Sequence, residues 1–107
     1  MARVLAVAPD LMFASRIEAT LGAAGHEVQL AGSVADASGL EEIDLLVVDL
    51  DRESASGVVG LGVPVLGFYA HLNTETREDA DAAGVDLVVP RSRMAREMPA
   101  LVEKLLR

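Results

Sequence analysis

The chain has 107 residues, a length that suits one domain built around a single hydrophobic core. Hydrophobic residues make up 51% of the chain and aromatic residues 3%, so the core must be aliphatic and an aromatic platform for nucleic-acid bases is excluded. There is no cysteine, which excludes disulfides, thiolate zinc sites and thiol nucleophiles. The formal net charge of −8 argues against binding to nucleic acid or to anionic membranes.

The apolar segments are too short for a membrane span or a secretory leader. A transmembrane helix needs about 20 apolar residues, whereas the longest runs here have the length of a β-strand. The N-terminal run ends at Pro9 and Asp10, before it reaches the length of about 7 to 15 residues found in signal peptides. We therefore expect a cytoplasmic protein. Because the chain starts with Met1 and ends on a helical pattern, we expect a stand-alone unit.

The first part of the chain predicts a strand, a helix and a second strand. Residues 4–8 are continuously apolar, as in a parallel strand that is buried on both faces. Asp10 follows as the N-cap of an amphipathic helix, and Gly25 ends that helix. Residues 28–31 predict the second strand.

The middle of the chain continues the same alternation. Ser33 is a helix cap before a short predicted helix over residues 34–40. Residues 44–49 are the most hydrophobic strand, and a weak, glycine-containing helix over residues 54–61 follows. The fourth strand is predicted at residues 64–69.

The C-terminal part predicts a helix, a strand and a final helix. Asn73 or Thr74 caps a predicted helix that ends at residue 83. The fifth strand is predicted at residues 86–89. Pro99 suits the first position of a helix, so we expect the last helix to begin there. Residues 91–97 would then form a connecting turn or a separate helical turn.

Five strand–helix units predict an α/β fold with helices on both faces of a parallel sheet. An open sheet of this size most often has the flavodoxin-like strand order 2-1-3-4-5. Residues 1–107 would form one such domain, with its functional site at the carboxyl ends of the first and third strands.

Two motifs in this pattern point to a known family. Residues 44–50 read Asp-Leu-Leu-Val-Val-Asp-Leu, Gly57 follows Asp49 by eight positions, and residues 24–28 read Ala-Gly-His-Glu-Val. In these motifs, and over nearly its whole length, the chain resembles the CheY-like receiver domain of two-component response regulators. Receivers are phosphorylated on the aspartate that ends the third strand, so the resemblance implies that Asp49 is the equivalent of the phosphoacceptor.

The other parts of a receiver site are replaced in this chain. Receivers hold a magnesium ion through an acidic pair after the first strand, where Ala8 and Pro9 stand here. The hydroxyl residue that contacts the phosphoryl group at the end of the fourth strand is matched by Tyr69. The lysine that stands before the proline following the fifth strand is matched by Val89, which precedes Pro90. The resemblance therefore implies a degenerate receiver, or pseudo-receiver.

A magnesium ion is expected only under the alternative hypothesis that Asp49 is phosphorylated. Phosphoryl transfer depends on charge neutralisation by magnesium and a cation, and Asp10 with Asp49 would supply two carboxylates for the ion. Asp10, however, lies one residue beyond the expected pair and is also the predicted helix cap. We expect no cofactor, with Asp49 satisfied by backbone N–H groups or by Arg91, which would otherwise replace the charge of the missing lysine.

Several exposed positions are candidates for partner binding. Residues 90–107 hold five cations against two carboxylates, and three of the cations form a cluster beside the fifth strand, namely Arg91, Arg93 and Arg96. His71 is a loop residue that would act as a pH-sensitive contact or have no role. Tyr69 would fill the vacated phosphate pocket, form part of a docking surface, or simply place its hydroxyl in water at the end of the strand. The resemblance implies pairing of two copies through the fourth helix, fifth strand and fifth helix.

Two functional hypotheses follow. The first is a stand-alone pseudo-receiver that has no catalytic residue, is not an enzyme and signals by binding a protein partner, including a second copy of itself, without ordinary magnesium-dependent phosphotransfer. The alternative is an atypical response regulator receiver that is phosphorylated on Asp49. A flavin or nucleotide bound in the crevice is a weaker third reading, because few aromatic side chains are present to stack on it. No nucleic acid or membrane is expected as a partner.

Overall fold

The computed structural model describes residues 2–37, 42–70 and 74–107. Strands and helices alternate along these residues in the order β1 (Arg3–Val7), α1 (Leu11–Ala23), β2 (Glu27–Ala31), β3 (Leu45–Asp49), α2 (Ala55–Val59), β4 (Val65–Tyr69), α3 (Thr74–Ala83), β5 (Leu87–Pro90) and α4 (Arg91–Leu106). None of the described helices is long and apolar enough to cross a membrane.

All the strands pair in parallel within one sheet, in the order β2-β1-β3-β4-β5. The predicted flavodoxin-like α/β architecture is therefore confirmed. Strands β1, β3 and β4 occupy the centre, where helices cover both faces of the sheet, and every residue of β3 and of β4 is buried. Burial on both faces explains why these strands are continuously apolar in sequence and show no polar alternation.

The core consists of two apolar layers, one on each face of the sheet. Leu45 and Val47 of β3 point into a layer with α1 and α4, while Leu46 and Val48 point into a layer with α2 and α3. The first layer also receives Phe13, Ile17, Leu21, Phe68, Met94, Met98, Leu101 and Val102. Both layers thus hold the carboxyl ends of the central strands in fixed positions.

Helix α1 begins and ends as predicted. The Asp10 carboxylate accepts hydrogen bonds from the N–H groups of Met12 and Phe13, at 3.0 and 3.2 Å, and so caps the helix. At the other end Gly25 has a φ of 94°, a left-handed conformation that favours glycine. The cap at Asp10 is important because it fixes a carboxylate at the carboxyl end of β1.

The prediction that the last helix begins near Pro99 is wrong, because α4 begins at Arg91 and contains Pro99 in its interior. A proline inside a helix removes one backbone hydrogen bond and costs about 3 kcal/mol. The helix nevertheless buries an apolar stripe that runs past the proline, formed by Met94, Met98, Leu101 and Val102. Burying each of these side chains stabilises the fold by about 1.5–3 kcal/mol, so packing outweighs the local cost. Pro99 itself is exposed.

The connection from β2 to β3 also differs from the prediction. Residues 33–37 form a single turn, in which the Ser33 hydroxyl accepts the N–H of Asp36 at 3.2 Å, and not the start of a regular helix. The rest of the predicted helix, residues 38–40, lies outside the described residues. Helix α2 is shorter than predicted, in keeping with the low helix propensity of Gly57 and Gly60.

Gly67 in the middle of β4 gives Leu50 room to pack on the sheet. A Cβ atom at position 67 would lie 2.3 Å from Cδ1 and 2.8 Å from Cγ of Leu50, and Leu50 is buried. The Leu50 side chain cannot move aside without disturbing the layer below α2 and α3. Leu50 directly follows Asp49, so this close contact also fixes the loop that carries the candidate site.

We predict that Gly67→Ala lowers the free energy of unfolding by about 1–3 kcal/mol, because overpacking displaces Leu50. Gly22→Ala is the matched control, since its added Cβ meets no described atom within 4 Å. It lies in a helix, where alanine should raise stability by about 0.5–1 kcal/mol. Urea unfolding measures both values. Equal stability of Gly67→Ala and the wild type would contradict the predicted contact.

Candidate functional site

The carboxyl ends of β1 and β3 lie side by side at the place where the strand order reverses. A cleft of about 300 Å³ opens there. Its lining consists of Pro9, Asp10, Asp49, Asp51, Arg52 and Arg91. The cleft therefore collects three carboxylates and two guanidinium groups from the loops after β1 and β3 and from the start of α4.

Asp49 ends β3 and is 7% exposed. One of its carboxylate oxygens, Oδ1, accepts the backbone N–H of Asp51 at 2.9 Å. Burial raises the pKa of the Asp49 carboxyl above its ordinary value; the negative charge of Asp51 acts in the same direction, while that N–H and the charges of Arg91 and Arg52 act against it. The Asp49 carboxylate thus accepts a hydrogen bond from a backbone N–H group, which is one of the two kinds of partner predicted for it.

Asp10 uses both carboxylate oxygens. Oδ1 caps α1, and Oδ2 lies 2.7 Å from Nη2 of Arg91. The hydrogen bond from the Phe13 N–H, together with Arg91, holds the pKa of the Asp10 carboxyl below its ordinary value. The ion pair joins the start of α1 to the start of α4.

The Arg91 guanidinium is also stacked on the aromatic core. Its Cζ atom lies 4.3 Å from the ring centroid of Phe13 and 6.0 Å from that of Phe68. The two rings meet edge to face with centroids 5.0 Å apart. A cation over an aromatic face gains about 0.5–2 kcal/mol, so the ion pair and the stacking together fix the guanidinium at the mouth of the cleft.

Of the other residues matched to the receiver site, three are buried and one, Pro9, is exposed. Ala8 and Val89 are buried in the layer with α1 and α4, and Pro9 lines the cleft. Tyr69 is 4% exposed, so its ring is packed inside the protein. Alternation along β4 directs Tyr69 to the face opposite Phe68, and it is absent from the described residues that line the cleft.

The two carboxylates predicted as weak magnesium ligands already have other partners in this structure. Magnesium requires an octahedral shell of oxygen ligands anchored by one or two carboxylates. Here Asp10 is engaged by the cap and by Arg91, Asp49 is buried, and the guanidinium already supplies a positive charge. Within residues 2–37, 42–70 and 74–107, no group of three or more His, Asp or Glu side chains is arranged to hold a metal.

The predicted partner-binding residues do not form one cluster. Arg91 points into the cleft, whereas Arg93 and Arg96 both approach Oε2 of Glu97, at 3.3 and 3.5 Å. Each residue of an α-helix is rotated by about 100° from the one before, so positions 91 and 93 lie about 160° apart around α4. This separates Arg91 from the pair formed by Arg93 and Arg96. His71 lies outside the described residues.

Two features of the site were not predicted. Asp51 Oδ2 accepts the N–H of Ala70 at 2.8 Å, which connects the loop after β3 to the end of β4. Phe13 and Phe68 form the platform under Arg91. A sequence signal existed for the second feature, because the two phenylalanines of the chain lie in the first turn after the cap at Asp10 and at the second-last position of β4.

We predict that Asp49→Asn is more stable than the wild type at pH 7. Because folding raises the pKa of Asp49 above its ordinary value of 3.8, the folded protein holds this proton more tightly than the unfolded chain. The free energy of unfolding therefore falls as pH rises through the folded pKa, and asparagine removes that loss while still accepting the Asp51 N–H.

Urea unfolding of both proteins between pH 7 and pH 3 measures the difference, which should vanish below 3.8. Asp79→Asn on exposed α3 changes the net charge equally and serves as the control. An Asp49→Asn variant less stable than the wild type at pH 7 would refute this account of the site.

Solved receiver structures share this fold. HP1043, an orphan response regulator of H. pylori, has a TM-score of 0.84 and 23% identity over 99% of this chain and 97% of its own. The chemotaxis protein CheY4 of Vibrio cholerae has a TM-score of 0.81 and 20% identity over 99% of both chains. NtrX of Brucella abortus has a TM-score of 0.85 and 19% identity over 98% of this chain, which spans 27% of NtrX.

No family model and no curated protein matches the sequence. The likeness to these structures lies at identities below 25%, so it rests on the arrangement of the strands and helices. That arrangement covers nearly every residue of this chain and of the two receiver-sized neighbours. The chain has the CheY-like fold of response regulator receiver domains.

Proposed function

We propose that this chain is a pseudo-receiver, a signalling module that acts by binding a protein partner without magnesium-dependent phosphotransfer. The observation that carries the proposal is the Arg91–Asp10 ion pair of 2.7 Å at the mouth of the cleft. It supplies an internal cation at the carboxyl ends of β1 and β3, where Ala8 and Pro9 replace the acidic pair that the resemblance implies. On this proposal the chain is a binding module and not an enzyme.

Charge explains why Asp49 would react poorly with a phosphodonor. Phosphoryl transfer is accelerated by neutralising the charge on the transferred oxygens, mainly with a metal ion and a cation. A phosphoryl group on Asp49 would enter a cleft that already holds the carboxylates of Asp10 and Asp51. Arg91 is paired with Asp10 and stacked on Phe13, so moving it toward the phosphoryl group would break both contacts.

Exposed apolar side chains beside the cleft support a docking surface. Leu11 and Met12, in the first turn of α1, are 80% and 86% exposed, and Leu30 of β2 is 38% exposed. Leu30 lies on the same face of the sheet as Val28, which packs against the layer with α1. The Ala8 N–H to Ala31 carbonyl hydrogen bond brings the ends of β1 and β2 together, so these side chains share one end of the molecule. We call Leu11, Met12 and Leu30 the apolar patch.

The charges around the apolar patch select the kind of partner. Among residues 8–10, 32–37 and 49–54, at the carboxyl ends of β1, β2 and β3, together with the first residue of α4, carboxylates outnumber guanidinium groups by five to two, namely Asp10, Asp36, Asp49, Asp51 and Glu53 against Arg52 and Arg91. Apolar side chains surrounded by excess negative charge favour a segment that is apolar and basic. We therefore propose an amphipathic, basic segment of another protein as the partner.

The other proposed partner is a second copy of the chain. It would pair through α3, β5 and α4, which are the segments predicted as the fourth helix, fifth strand and fifth helix. Helix α3 is acidic and exposes most of its residues, while α4 carries Arg93 and Arg96. Glu97 already pairs with both arginines, which weakens their attraction to a partner's carboxylates. This pairing favours the apolar patch over self-association.

The second candidate function is that of an atypical receiver phosphorylated on Asp49. It is favoured by the position of the Asp49 carboxylate at the end of β3, on a cleft that Arg52 and Arg91 also line. The two candidates differ in one property, which is whether Asp49 accepts a phosphoryl group.

Incubation with acetyl phosphate and magnesium, read by intact mass, separates these functions. We expect no phosphoryl adduct, because Asp10 and Asp49 already have other hydrogen-bond partners and the Arg91 cation of the cleft is paired. A phosphorylatable receiver treated in parallel verifies the reagent, and Asp49→Asn is the site control. A stoichiometric adduct on the wild type that disappears in Asp49→Asn would overturn the pseudo-receiver proposal.

The docking surface is tested with an amphipathic Leu/Lys peptide and a matched Leu/Glu peptide as probes. We expect the basic peptide to shift amide NMR signals around the apolar patch, and the acidic peptide to bind at least tenfold more weakly. Leu11→Ser with Met12→Ser should weaken binding about tenfold, whereas Ala100→Ser on exposed α4 should not. Shifts confined to α3, β5 and α4, or concentration-dependent dimers in sedimentation, would instead support a second copy as the partner.

A further inference from the structure

The loop after β3 is fixed by its own backbone. The N–H groups of Arg52 and Glu53 donate to the Asp49 carbonyl at 3.2 and 3.0 Å, and the Leu50 N–H donates to the Phe68 carbonyl at 2.9 Å. The Asp51 N–H donates to the Asp49 carboxylate. These bonds fold the loop into a tight turn with a defined direction for the side chains that follow Asp49.

Two carboxylates of this turn extend to neighbouring loops in opposite directions. Asp51 Oδ2 accepts the N–H of Ala70, the residue after β4, at 2.8 Å. Glu53 Oε1 accepts the N–H of Val34, in the turn after β2, at 3.2 Å. The loop after β3 therefore contacts the residue that follows the neighbouring strand β4 and the turn that follows β2, on the far side of β1.

Ala70 has a distinctive position among the backbone donors of the cleft region. It is exposed and lies just beyond the last residue of β4, so its N–H does not take part in the pairing of β4 with β5. The Asp51 carboxylate is the acceptor that this N–H has, and hydrogen bonds to a charged acceptor are short and strong. The conformation at the end of β4 thus depends on an anion supplied by the neighbouring loop.

We propose that the Asp51 carboxylate is a built-in anion that holds the end of β4 in one conformation and takes the place of an added phosphoryl group. A phosphoryl group on Asp49 would need donors at the same edge of the sheet, and the Ala70 N–H there is already engaged by Asp51. With Arg91 as the internal cation and Asp51 as the internal anion, both charges of a phosphorylated site are supplied by the chain itself. This inference rests on the proposed function and deepens it, since it makes the chain a module set permanently in one state.

Hydrogen exchange of the Ala70 amide, followed by NMR at neutral pH, tests the role of Asp51. We expect this amide to exchange at least tenfold faster in Asp51→Ala than in the wild type, with new exchange broadening at the end of β4. Asp51→Asn keeps an oxygen acceptor and should restore part of the protection, whereas Asp51→Leu has a similar shape without an acceptor and should restore none. A purely steric role of Asp51 would give protection in both variants.

Glu53→Ala is the matched control, because it removes a carboxylate from the same loop and should affect Val34 but not Ala70. Amides inside β3 and β4 report whether each variant remains folded. An unchanged Ala70 amide in Asp51→Ala, with those strands intact, would overturn the inference. That failure is distinct from failure of the proposed function, which depends on whether acetyl phosphate modifies Asp49.

Discussion

The position of the Arg91 guanidinium is the constraint on which the rest of the site depends. It is set by the ion pair with Asp10 and by the rings of Phe13 and Phe68, which belong to the core. Asp10 in turn is fixed because it caps α1, so the cation is tied to two helices and to the sheet beneath them. An exposed ion pair alone contributes only about 0–1 kcal/mol to the free energy of unfolding. Its role here is to orient the Arg91 guanidinium, which the contacts with the two aromatic rings also hold in place.

A fixed internal cation changes what the cleft can do. The carboxyl ends of β1 and β3 are where an open parallel sheet binds its ligands, and the solved receivers show that this chain has their arrangement of strands. In this chain the cleft brings its own opposite charges, with Arg91 against Asp10 and Asp51 against the Ala70 N–H. On the proposed function, a cleft whose cation is already paired with Asp10 gains little from a phosphoryl group, and the exposed apolar patch with the surrounding carboxylates binds a protein partner.

The elements predicted correctly from the sequence are those that a short run of buried residues or a local cap specifies. The five strands follow from continuous apolar runs, and α1 from a cap at Asp10 and a glycine at Gly25. The start of α4 was missed because a local rule about Pro99 competes with a stripe of buried side chains that becomes visible only when the sheet is present. The contact between Asp51 and Ala70 joins residues 19 positions apart through a turn, and no periodicity in the sequence records it. Prediction therefore located the cleft and several residues lining it, but not how their charges pair.

On the proposed function, Arg91 stands where a metal ion would otherwise be needed, so titration with a metal ion shows whether the cleft binds one. Manganese is a paramagnetic substitute for magnesium and broadens the NMR signals of nearby residues. We expect no saturable broadening at Pro9, Asp10, Asp49 or Asp51 when manganese is added, and no change at these positions with magnesium. Saturable broadening centred on Asp10 and Asp49, reversed by excess magnesium and lost in Asp10→Ala, would contradict this expectation.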